Sequence, residues 1–278
     1  MGTIQPIAMG DLYNRFLVPP GKIVKLSEYD PAETCGFKSE EEVKELLDYY
    51  TKRLKKLIHT LFAEKQYALL IVVQGMDGSG KDGVIKHLVK GLTTEMYSAT
   101  HFKVPTKEEQ TYDFLKRIHL KTPRKGKIRF FHRSQYEDVV VVHAKGTLPK
   151  DVLERRYDHI NNFEKLLADS NTIILKFFLN ISNPAQLEKI TERFTNPDKR
   201  WKHSPEDIVG HMEWDQNMEA YGEAITRCNN IWAPWLIIPS DNQWFRDLAA
   251  GQIVVSALEN IYPQNKKNAT SDEQKIAS

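Results

Sequence analysis

The segment that most limits the fold is YALLIVVQ at 67–74, followed at once by GMDGSGKDG at 75–83 and then by VIKHLVKGL. An apolar run this short and this rich in β-branched residues reads as a strand buried on both faces of a parallel sheet. The glycine-rich stretch fits the first seven positions of G-x-x-x-x-G-K-[ST], with Asp82 where Ser or Thr is usual. Glycines there let backbone N–H groups face inward, and the helix that follows presents its N-terminus to an anion. Gly78, Ser79, Gly80, Asp82 and Gly83 form the expected phosphate cradle, and Lys81 reaches the terminal phosphates as a point charge. The hydroxyl replaced at position 82 normally holds Mg²⁺, an ion that takes one or two carboxylates beside phosphate oxygens. Asp77 is the candidate metal ligand in its place, against the alternative of a solvated or turn-stabilising loop acid. Asp82, at a helix start, also favours the helix dipole.

Around this unit the chain alternates. Residues 1–38 read as an irregular extension, with Pro19-Pro20-Gly21 and Asp30-Pro31 as turn signals. Ser39 opens a helix, and Glu42 three residues on completes a capping-box pattern. Further strands are expected at 101–104, 128–131, 173–179 and 235–238, with helical patterns at 107–118, 149–168 and 185–193. That rhythm indicates βαβ units, hence an α/β fold: a parallel sheet flanked by helices, in one domain over 39–262. Ser204-Pro205-Glu206-Asp207 is a further helix start, and the polar stretch 263–278 reads as a flexible tail.

Two cysteines, Cys35 and Cys228, exclude a disulfide framework and a cysteine-built metal site. No secretory pattern opens the sequence, and no apolar run approaches the ~18 residues of a membrane span, so a cytoplasmic protein is expected.

Charge is distributed unevenly. Between Lys116 and Arg133 stand eight cations in eighteen residues with no acid, in a chain whose net charge is only +2. Lys189, Arg193, Lys199, Arg200 and Lys202 make a second cluster against only Glu192 and Asp198. Single-sign clusters gather polyanions. The aromatic spacing of a nucleic-acid stacking platform is not evident, so no nucleic-acid partner is expected. Arg133, at the end of the strand 128–131, suits bidentate phosphate contact. Glu137 and Asp138 are candidates for metal or nucleotide polar atoms, or equally an ordinary acidic helix start. If the acceptor is itself a phosphate, no general base is needed, because its second pKa is about 6. Catalysis then reduces to in-line positioning and charge neutralisation.

The ordered motifs GMDGSGKDG, FHRSQYEDV at 131–139, RYDHINNFEKLL at 156–167, ILKFFLNIS at 174–182, NPDKRWKHSPED at 196–207 and APWLIIPSDNQWFR at 233–246 resemble the polyphosphate kinase 2 family. The resemblance covers about residues 40–262. It implies a thymidylate-kinase-like P-loop fold with a basic helical lid near 184–210. It also implies Mg²⁺-dependent transfer between inorganic polyphosphate and nucleoside mono- and diphosphates, and a homo-oligomer. By position, Asp77 matches the loop acid tied to metal and catalysis, and Lys81 the loop lysine. Arg117 and Arg133 match arginines near the phosphates, while Arg193, Lys199, Arg200 and Lys202 fall in the polyphosphate-lining lid.

His132 departs from the pattern, where many members carry Asp or Asn, and reads as a packed or hydrogen-bonded histidine. The SQYEDV continuation is similar to the subclass that accepts both AMP and ADP, with Glu137 and Asp138 placed to influence acceptor choice. Two competing readings stay open: an ATP-dependent P-loop nucleoside or nucleotide kinase, and a non-catalytic P-loop protein that binds a polyanion.

Overall fold

The computed structural model describes residues 12–196 and 205–262. Five parallel strands run in the order β2-β3-β1-β4-β5: β1 Ala68–Gln74, β2 Tyr97–His101, β3 Ile128–His132, β4 Thr172–Asn180 and β5 Trp235–Pro239. Parallel neighbours need crossover connections, and helices supply them. β1 is central, with Val73 opposite His132 on β3 and Phe177 on β4. Every residue of β1 is buried.

Because successive side chains leave a strand on opposite faces, β1 serves two cores. Leu69, Ile71 and Val73 pack with Leu57, Val84 and Ile253, from α2 (Glu40–Glu64), α3 (Lys81–Leu88) and α10 (Gln243–Ile261). Leu70 and Val72 pack with Val140, Ile160 and Ala224, from α5 (Glu137–Ala144), α6 (Lys150–Asp169) and α9 (Trp214–Arg227). The α/β sheet flanked by helices expected from the sequence is therefore the architecture observed. The remaining helices are α1 (Leu12–Phe16), α4 (Lys116–His119), α7 (Asn183–Thr195) and α8 (Pro205–Met212). Among the described residues, no helix is long and apolar enough to cross a membrane.

Four local expectations need correction. The strand expected at 101–104 lies earlier, at Tyr97–His101; it is a polar, half-exposed edge strand, and Val104 is exposed. The helix expected at 107–118 is a single 3₁₀ turn, Glu109–Thr111, and the short α4. Thr106 and Glu109 cap one another's backbone N–H, but the Asp113 carboxylate then takes the N–H of Leu115 and breaks the run. At α2, the Ser39 hydroxyl makes no capping bond; the Glu42 carboxylate accepts instead from the Lys38 N–H at 2.8 Å. The stretch before Ser39 is not wholly irregular. It holds α1 and docks on β5, where the Val18 N–H donates to the Trp235 carbonyl at 2.9 Å and Phe16 meets Phe245 edge-on.

Candidate active site

At the carboxyl end of β1 the chain turns through the glycine-rich loop into α3. Ligands of open α/β sheets collect there, where neighbouring strands leave in opposite directions. Gly80 has φ +91°, which an L side chain rarely adopts, and a Cβ there would overlap the guanidinium of Arg246. A Cβ on Gly83 would sit 2.8 Å from the same guanidinium. Arg246, from the first turn of α10, is buried and pairs with Asp247 at 2.7 Å. The two glycines thus admit a buried cation beneath the loop.

Lys81 is 5% exposed and folds back over the loop. Its Nζ donates to the carbonyls of Gly75 (2.7 Å) and Met76 (3.0 Å) and lies 3.4 Å from Asp77 Oδ1. Arg133 Nη2 bridges both Asp77 oxygens, at 2.9 and 3.0 Å, and Nη1 stands 3.8 Å from Glu137. Arg133 reaches this position with φ +61°, a left-handed conformation that costs about 1–3 kcal/mol in a non-glycine residue and clusters at functional sites. The Gln74 amide, turned with oxygen toward Ser134, donates to Glu137 Oε1 at 3.0 Å and accepts from the Ser134 N–H at 3.2 Å.

These contacts set the protonation states. Burial alone would raise the Asp77 carboxyl, but Lys81 and Arg133 overcome it and hold Asp77 well below the usual carboxylate range. Glu137 goes the other way: desolvation outweighs Arg133 and Lys81 and raises it. Burial lowers Lys81 against the pull of Asp77. His132 is lowered to about 3, first by desolvation and then by Lys81, so its ring is neutral.

A cavity of about 400 Å³ opens above the loop. Asp77, Gly78, Gly80, Lys81, Asp82 and Gly83 line one wall, and His132 borders it. Lys189 and Arg193 of α7 and Asp207 of α8 close the other side, with Arg193 paired to Asp207 at 2.5 Å. Ser79 lies under the loop with its hydroxyl buried and unpartnered. Arg117 lies elsewhere: it donates to the Lys103 carbonyl (2.7 Å) and Asp138 Oδ2 (3.1 Å), and lines a separate hollow with Thr106 and Tyr112. The neighbouring acids of α5 therefore diverge, Glu137 toward Arg133 and Asp138 toward Arg117. Lys199, Arg200 and Lys202 lie outside the described residues.

Comparison with known proteins agrees with this geometry. Residues 37–266 match the family described as polyphosphate kinase 2. The chain belongs to the polyphosphate kinase 2 family. It is 39% identical over 261 residues to the AMP/ADP-polyphosphate phosphotransferase of Meiothermus ruber, covering 94% of this chain and 98% of that one. To the ADP-polyphosphate phosphotransferase of Rhodopseudomonas palustris it is 31% identical over 265 residues, covering 90% and 92%. Among solved structures, polyphosphate kinase 2 from Arthrobacter aurescens TC1 superposes with a TM-score of 0.86 at 34% identity, covering 94% of this chain and 92% of that chain.

Sequence reasoning missed Arg246 and Asp207 as cavity residues of this polyphosphate kinase 2 chain, whereas Lys189 and Arg193 of the second basic cluster do line the cavity. Arg246 stands within the motif at 233–246, but nothing local in that stretch says that its guanidinium lies under Gly80. The glycines at 80 and 83 were the available signal, because two small residues one turn apart announce a close approach.

Proposed function

We propose that this chain transfers the terminal phosphoryl group of inorganic polyphosphate to AMP and to ADP, reversibly and with Mg²⁺, giving ADP and ATP. The observation that carries the reading is the convergence of Lys81, Lys189, Arg193 and Arg246 with the glycine-rich loop on one cavity. Four cations around a backbone cradle suit phosphate chains, and the acceptor phosphate brings its own ionised oxygen as nucleophile. The 39% identity to a relative named for both AMP and ADP supports the dual acceptor.

Within this scheme Lys81 neutralises charge that spreads over the transferring group, and Arg193 orients the donor chain from the lid side. Arg133 is drawn off by Asp77 in this state, and a bound phosphate offers it a competing bidentate partner. The residues present fit Mg²⁺: Asp77 stays ionised and faces the cavity, a hard oxygen donor of the kind the ion takes. When bound, Mg²⁺ supplies further charge neutralisation, with Asp77 as its protein ligand. Of the two acids at the start of α5, Glu137 stands beside Arg133 and is the one assigned to acceptor choice, whereas Asp138 is paired with Arg117.

The test is ADP and ATP formation from AMP, and ATP from ADP, with Mg²⁺ and long-chain polyphosphate as sole donor. Both acceptors should react, and Lys81→Ala should lower kcat/KM by about 10²–10³-fold while the fold persists. Product from one acceptor alone corrects the subclass. Transfer only when ATP is the donor would replace this reading with an ATP-dependent kinase.

A further inference from the structure

Beside the phosphate loop, Asp82 meets two histidines that the transfer reaction leaves without a task. β2 and β3 run parallel and in register, so that His101 lies opposite His132 at their carboxyl ends. Their rings stack with centroids 4.3 Å apart and planes 17° from parallel. Asp82, in the first turn of α3, places Oδ1 3.4 Å from His132 Nε2. One donor atom from each of the three can be chosen so that all lie within 4.8 Å of one another; no other such trio occurs among the described residues.

We propose that Asp82, His101 and His132 form a binding site for a divalent transition-metal ion of the zinc class, on the wall of the phosphate cavity. The donor set decides the class. Two imidazole nitrogens and one carboxylate suit Zn²⁺, Co²⁺ or Ni²⁺, whereas Mg²⁺ takes oxygen ligands. The site is therefore separate in chemistry from the hard-oxygen position of Asp77. Three protein ligands leave a fourth position open to water or a phosphate oxygen.

Some rearrangement accompanies binding. Zn–N distances of about 2.0–2.1 Å put the donor atoms of a tetrahedral site roughly 3.3 Å apart, so the trio must draw in. A metal in the plane of one stacked ring misses the plane of the other, so one imidazole must also turn. His101 can do so at least cost, because it is exposed on an edge strand. Lys81 and Arg133 stand close enough to His132 to oppose an incoming cation, and Asp82 offsets part of that charge. A full-charge cation on this wall also faces the same cavity as the loop lysine, so occupancy couples to how tightly phosphate is held.

The experiment uses the full-length, tag-free chain stripped with chelator and titrated with Co²⁺, read by visible absorption and equilibrium dialysis. One equivalent should bind with ligand-field bands, displaced by Zn²⁺ and unaffected by millimolar Mg²⁺. His101→Gln should weaken Co²⁺ binding by more than about 10-fold and remove the bands. Polyphosphate-driven transfer with Mg²⁺ and the thermal midpoint should stay as in the parent. His132→Gln, checked for folding by circular dichroism, should give the same loss of binding. No bound Co²⁺ at 100 µM added metal, as an order-of-magnitude ceiling for a built site, would overturn the proposal. One equivalent that binds unchanged in both variants would overturn it as well, by placing the ion elsewhere.

Discussion

Two buried lysines are held in opposite ways. Lys176, in the middle of β4, is wholly buried and gives its ammonium to three acceptors: Glu164 Oε2 (2.6 Å), the Tyr136 hydroxyl (2.9 Å) and the Cys228 carbonyl (2.5 Å). Glu164 in turn accepts from Gln135 (3.0 Å) and Tyr136 (2.8 Å), and the rings of Tyr136 and Trp235 wall the ammonium in. Lys81 has two loop carbonyls and a carboxylate at 3.4 Å, and it borders a cavity. The first network is closed, with every proton of the ammonium used inside the fold. The second is provisional, since the carbonyls that hold Lys81 belong to the same loop that is proposed to cradle phosphate. A buried charge is therefore weak evidence for a site on its own; what marks the site is an acceptor set that a ligand can replace.

The largest expected effect lies on the closed side. Lys176→Met strands Glu164 as an uncompensated buried carboxylate, and removing one partner of such a pair costs about 3–5 kcal/mol. Urea unfolding should show that loss, whereas protein that stays folded should keep most of its transfer activity. Glu164→Gln added to Lys176→Met should recover part of the stability, because no buried charge then remains. A stable Lys176→Met protein with lost activity would erase the contrast and put β4 into the chemistry. Lys81→Ala is the mirror image, with activity lost and stability nearly kept.

The contrast also explains what could be read from the sequence. Asp77, Gly80 and Lys81 were legible because the loop packs its functional groups into nine consecutive residues between an apolar strand and a helix. Arg133 was legible from its place at a strand end. Arg246 was not, because only the crossovers that set the strand order bring α10 against the loop; Lys189 was legible as one member of a basic cluster, without its place on the cavity. The Lys176 network left a trace in ILKFFLN, where a lysine interrupts a strand buried on both faces, but its partner twelve residues upstream carries no local signature. Tyr97–His101 was displaced in the sequence reading because an edge strand need not be apolar.

Within the open cluster the two carboxylates should respond with different strength and sign. Asp77→Asn removes the proposed Mg²⁺ ligand and frees Arg133, so kcat should fall by more than about 10²-fold, with Mg²⁺ saturation moved to higher concentration. Its folded-state pKa is depressed, so its ionisation stabilises the native state above the unfolded value of about 3.9 and that contribution is lost as pH falls toward the folded value. Urea midpoints measured across the acid range should fall less steeply in Asp77→Asn than in the parent. Full activity in this variant would remove Asp77 from the metal role.

Glu137→Gln should give the smallest effect on stability and the opposite sign. Burial raises the folded-state pKa of Glu137 despite Arg133 and Lys81, so the native state holds that proton more tightly than the unfolded chain does. Stability from this group is complete below about 4.3, the unfolded value, and is lost as pH rises through the folded value. Glutamine keeps a carbonyl oxygen for the Gln74 amide and carries no charge to desolvate. The variant should therefore be slightly more stable than the parent at neutral pH and indistinguishable from it in acid, as urea midpoints at the two pH values would show. A loss of stability at neutral pH would mean that the Arg133–Glu137 contact outweighs desolvation, and that this end of the open cluster is as tightly closed as the one around Lys176.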